Sequence, residues 1–149
     1  MNSLPIIITG QHHNDYKLSV TVGINGQRLS SVNEFGNLNL NFEYDKNSVV
    51  RHEFELIVSG KTELLNSISS RPLERDNIIS SAYIINSVHF GEYDVIPILA
   101  TSAKYYHTQH TNDNKRVIED YTNWLGVDGI LKFTFVTPLF AWFLSDFEY

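Results

Sequence analysis

From residue 38 to residue 44 the chain reads Leu38, Asn39, Leu40, Asn41, Phe42, Glu43, Tyr44, and this unbroken alternation constrains the fold more than any other feature. Successive side chains of a β-strand point to opposite faces, whereas a helix would scatter these four apolar groups around its circumference. The segment is therefore read as a strand with one apolar and one polar face. Such a strand needs a partner layer to cover the apolar side.

The same period recurs along the chain. Residues 17–22 place Leu18, Val20 and Val22 on one face and lead into Ile24-Asn25-Gly26-Gln27 before Leu29. Asn-Gly between alternating segments predicts a tight hairpin, because both residues accept positive φ. Residues 52–59 carry Phe54, Leu56 and Val58 and stop at Gly60. Joined to 38–44 by the turn-forming Asp45-Lys46-Asn47-Ser48, they are expected to pair with it in antiparallel fashion. Alternation lapses between Lys61 and Asn77, which reads as an excursion loop with a helical turn near 63–68. It resumes in 80–90, turns at Gly91-Glu92 and continues to Pro97, predicting a second hairpin with an edge or bulge at the proline. Residues 98–106 fit a strand or a short helix, 107–114 a second long loop, and 115–125 show no clear pattern. An Asp128-Gly129 turn then leads into Leu131, Phe133 and Phe135 on one face, followed by Pro138 and an aromatic ending, so the chain is expected to close on a strand.

About eight strand-like runs separated by turn signals, with no amphipathic helix, predict an all-β fold. The expected architecture is one antiparallel β-sandwich or jelly roll over residues 1–149, with short helical turns in its loops. A length of 149 residues fits a single domain.

Charge and composition remove several function classes. A net charge of −6, with Lys115-Arg116 the one basic pair, argues against a nucleic-acid partner. The chain has no cysteine, so neither a disulfide framework nor a thiolate zinc site is expected. Neither Ile6-Ile7-Ile8 nor 139–144 is long enough for membrane insertion, and no basic segment precedes the first run. Synthesis in the cytosol without a signal peptide, or incorporation into a particle such as a virion assembled there, is the expectation. The histidines at 12, 13, 107 and 110 lack a spacing that fixes a metal site. No cofactor is implied. Calcium is the one ion that the acidic loops have the chemistry for, although no Asp-x-Asp-x-Asp-Gly run is present. No nucleophile elbow, phosphate-cradling glycine loop or His-Glu-x-x-His occurs, so no catalytic residue is assigned and a small hydrolase ranks third among the readings.

Two groups of residues remain. Tyr105, Tyr106 and Trp124 adjoin polar loops and are candidate stacking platforms for a sugar ring, with Asp94 and Asp113 as polar or calcium-linked contacts. Leu139, Phe140, Trp142, Phe143 and Phe147 make the C-terminal segment unusually apolar. Such a segment is covered either by the domain's own core or by a subunit interface. The stretches 49–62, 88–95 and 129–135 resemble the strands of small jelly-roll carbohydrate-binding modules. In order and length they also resemble small β-sandwich proteins of tailed bacteriophages that decorate capsids or tails. The resemblance implies a noncatalytic, virion-associated domain whose partners are copies of itself or other virion proteins; the alternative is a carbohydrate-binding module, possible with calcium. No ligand residue transfers by it.

Overall fold

A computed structural model describes residues 2–67, 72–107 and 116–147, with the side chains of 67, 72, 73 and 145–147 excepted. The elements in chain order are β1 (Asn2–His12), β2 (Ser19–Ile24), β3 (Gln27–Ser31), β4 (Leu38–Tyr44), β5 (Val50–Ser59), α1 (Lys61–Ser67), α2 (Pro72–Ile79), β6 (Tyr83–Phe90), β7 (Tyr93–Asp94), α3 (Ile96–Ser102), β8 (Lys104–His107), β9 (Val117–Asp120), β10 (Trp124–Leu125), β11 (Gly129–Thr137) and α4 (Leu139–Phe147).

The strands form two antiparallel sheets packed face to face, so the chain is an all-β sandwich. One sheet has the order β10-β6-β1-β4, with β7 also on β6, and the other has the order β3-β2-β5-β11-β8-β9. Between them lie the side chains that alternation selects, Val20 and Val22 of β2, Phe54, Leu56 and Val58 of β5, and Leu131, Phe133 and Phe135 of β11, together with Leu4, Ile6 and Ile8 of β1. A cluster of rings fills the centre, with Phe54 stacked on Phe133 at 4.6 Å and Phe90 meeting Phe135 edge-on at 5.1 Å. The Asn25-Gly26 hairpin forms as expected, with φ of +55° and +82°, between β2 and β3.

Four local expectations change. Strands β4 and β5 do not pair: β4 lies on β1, while β5 lies between β2 and β11. Turn residues 45–48 carry the chain from one sheet to the other, and two adjacent alternating segments look the same whether they pair or cross. The 61–77 excursion contains α1 and the start of α2. α1 is capped from a distance, since the Asp128 carboxylate accepts from the backbone N–H of Lys61 at 3.0 Å and of Thr62 at 3.1 Å. Pro97 sits in the first turn of α3 and not in a strand, a position where its missing N–H costs nothing. Finally, the aromatic ending is helical, as α4.

Strand register defines two ends of the sandwich. At one lie His12, Tyr83, Leu125, Ser59, Gly129 and His107. At the other lie Asn2, Tyr44, Phe90, Val50 and Thr137, from which α4 departs. Trp142 turns back from α4 onto Phe90 at 5.5 Å and is 3% exposed. Among the described residues no helix is long and apolar enough to cross a membrane.

Candidate functional site

An open cleft of about 520 Å³ lies at the first end of the sandwich, lined among others by His13, Lys61, Tyr105, His107, Glu119 and Trp124. Both sheets contribute. β10 brings Trp124 opposite Ile84, β8 brings Tyr105 and His107, and β9 lies beside β8 with Glu119 opposite Tyr105.

Trp124 is the open aromatic surface of the cleft, 46% exposed. The His13 ring leans on it with centroids 4.7 Å apart at 57°. Across the cleft, His107 Nε2 lies 3.1 Å from Glu119 Oε2, the imidazole side chain buried and the carboxylate half exposed. The wall between them is fixed by Lys61, which is 4% exposed. Its ammonium donates to the carbonyls of Ile79 at 2.5 Å and Ser81 at 3.0 Å, and also to that of Gly126. Three bonds use all three ammonium protons. Burial lowers the Lys61 pKa from its ordinary value, and the charge of Asp128 partly offsets this. The lysine thus ties α1 to the segment after α2 and to the 126–128 turn, and its nitrogen offers no free lone pair for chemistry.

The sequence-derived platform residues do not converge. Tyr105 is 2% exposed and donates its hydroxyl to the Val127 carbonyl; it is core at the floor of the cleft and presents no open face. Tyr106, next along the strand, points to the opposite face of the sheet, as period two requires. There it is half-buried, with Lys132 Nζ 5.2 Å and Arg116 Cζ 5.9 Å from its ring centroid. Trp124 alone of the three is exposed in the cleft. Asp94 is exposed on the same edge of β6 but toward the far end, paired with His89, and its carboxylate accepts from the Ile96 N–H at 3.0 Å in the turn that leads into α3. Asp113 and His110 lie outside the described residues. Among the described residues no three His, Asp or Glu side chains gather as metal ligands would.

The C-terminal set divides as the helix turns. Trp142 is core, and Leu139 and Phe143 pack partly against it, with Phe143 meeting Tyr93 at 5.0 Å. Phe140 and Leu144, four residues apart on the outer ridge, are 64% and 59% exposed. The side chain of Phe147 lies outside those described. Of the cleft residues, Lys61 left no trace in the sequence, because nothing local marks a lysine whose partners are carbonyls remote in the chain. Glu119 is one of 17 acidic residues in the sequence, and no spacing singles it out.

Comparison with family models, with curated proteins and with solved structures finds no match for this chain.

Proposed function

We propose that this chain is a noncatalytic assembly domain, attached through its α4 end to a larger protein particle of the virion-surface kind and presenting its cleft end outward. The observation that carries the reading is the exposed pair Phe140 and Leu144, on a helix whose inner face is locked to the core by Trp142. The nearby Tyr93 is 49% exposed and touches Phe143, extending the apolar surface. Aromatic-rich exposed surface of this kind is enriched at protein contacts. Because the ridge is separate from the core face, it can be changed without unfolding the domain.

Light scattering on wild type and on a Phe140→Ser/Leu144→Ser variant tests this. The expected outcome is concentration-dependent association of wild type beyond a dimer, absent from the variant, with unchanged melting temperatures. Equal mass at every concentration refutes the role of α4. A second reading, a carbohydrate-binding module, is favoured by Trp124 in its polar cleft, since an exposed indole face suits a pyranose ring. A glycan screen with and without calcium, repeated on Trp124→Ala, should lose its hits in the variant if that reading holds.

A further inference from the structure

We infer that a second copy of this chain pairs with the free edge of β4, joining two sandwiches through one continuous sheet about a twofold axis at Asn41. The surface is distinct from the α4 ridge, and the inference stands independently of the function proposed above.

All seven residues of β4 are in register with β1 on one side, from Asn2 opposite Tyr44 to Ile8 opposite Leu38. On the other side no strand among the described residues pairs with it. The backbone N–H and C=O groups on that side have no ladder partner among the described residues, and such a row is the template on which another strand adds. Proteins usually blunt such an edge with charged side chains, above all lysine, or with proline, a bulge or brevity; β4 runs seven residues with no lysine, proline or bulge, and Glu43 is its one charged side chain. The other edges are blunted. β7 and β10 are two residues long, β9 has four residues and carries Glu119 and Asp120, and β3 bears Arg28 and pairs with β2 through an irregular register at Val22/Gly23.

The side chains of β4 name the occupant. Inward-pointing Leu40, Phe42 and Tyr44 are only half-buried, although the sandwich interior is on their side. They form the open rim of the core. An antiparallel twofold about Asn41 pairs the full strand with itself: Leu38 against Tyr44, Leu40 against Phe42, Asn39 against Glu43, and Asn41 against Asn41. The apolar rim of each copy then covers the other. On the outer face each Glu43 carboxylate meets an Asn39 amide, and no like charges stand opposite one another. The interface is isologous and closes at two copies.

The absence of cysteine from the chain makes the register directly readable. Directly opposed residues have Cβ atoms roughly 4.5–5.5 Å apart, close to disulfide reach. In Asn41→Cys, mild oxidation or a short bismaleimide should link most of the protein into dimers. Asn39→Cys alone should not, because its copies are displaced by four residues, on the order of 13 Å; mixed with Glu43→Cys it should. In the Phe140→Ser/Leu144→Ser background, which removes association through α4, light scattering should approach twice 17.1 kDa as concentration rises. Asn41→Lys added to that background, which sets two like charges opposite each other at an exposed position, should hold it at the monomer mass with an unchanged melting temperature. A strict monomer at all concentrations, or equal linking of Asn39→Cys and Asn41→Cys, overturns the proposal. Loss of the α4 effect with retained Asn41→Cys linking overturns the functional reading alone.

Discussion

Replacing Lys61 with Met removes the ammonium while keeping an unbranched stem of similar length. In the native protein that ammonium holds three backbone carbonyls, of Ile79, Ser81 and Gly126. Hydrogen bonds to a charged group contribute about 1.5–3 kcal/mol each, so the gross loss is on the order of 4–9 kcal/mol. Two effects reduce it. The buried ammonium no longer has to be stripped of water, which returns several kcal/mol, and carbonyls bordering an open cleft regain some hydration. The net destabilisation is about 3 kcal/mol. For a domain of this length each kcal/mol corresponds to roughly 2–4 °C, and the variant should melt about 6–12 °C lower by calorimetry. Hydrogen exchange should speed up first in α1 and at residues 79–82, the segments that the lysine joins. A melting temperature within 2 °C of wild type would refute the argument, since the three carbonyls would then be satisfied equally well without the charge.

His52 gives a pH dependence with a definite sign. Asn25 Oδ1 accepts from the Glu53 N–H at 2.9 Å, which aims the Asn25 amide nitrogen at His52 Nδ1, 3.0 Å away. Nδ1 is therefore the acceptor, and Nε2 donates to Thr137 Oγ1 at 2.8 Å. Burial lowers the His52 pKa below its usual 6.5, so the unfolded chain takes up a proton that the folded one resists. Stability from this residue is fully present above pH 6.5 and declines below it, by at most about 1.4 kcal/mol per pH unit. Denaturant titrations at pH 7.5 and 5.5 should show a decline that is smaller in His52→Phe; identical declines would remove His52 as the cause. Trp142→Ala, which empties the space between Phe90 and Phe133, should cost about 3–5 kcal/mol in urea unfolding, and a cost below 1 kcal/mol would show that α4 does not close the core.

Alternation reveals a strand only when its outer face is polar. β4 and β5 meet that condition and are legible residue by residue. β1 does not: Pro5 and the 36% exposed Ile7 face outward, so the run at 6–8 reads as an undivided apolar patch and the strand that joins β4 to β6 is hidden. Partnership is hidden for a different reason. Periodicity records which face a residue points to and carries nothing about which strand lies alongside, so the 45–48 crossing was indistinguishable from a hairpin. Residues 139–144 of α4 carry no polar side chain, because the inner face meets Phe90 and Phe133 through Trp142 and the outer face carries Phe140 and Leu144. The cleft was half legible: Trp124 was found by its residue type, while the lysine and the capping Asp128 that shape its wall act through partners more than 15 residues away in sequence.

The interleaving of the two sheets also governs when the molecule can form. β1 is held between β4 and β6, and β5 between β2 and β11, so each central strand waits for a neighbour made much later. β11 fills the gap between β5 and β8, and until it emerges from the ribosome the second sheet exists as two unjoined halves with Phe54 and Leu56 uncovered. Distant pairings of this kind fold in milliseconds to seconds and not microseconds. A nascent chain that pauses before residue 129 would therefore expose its apolar strands to other chains, and a product truncated there should aggregate more readily than the full chain.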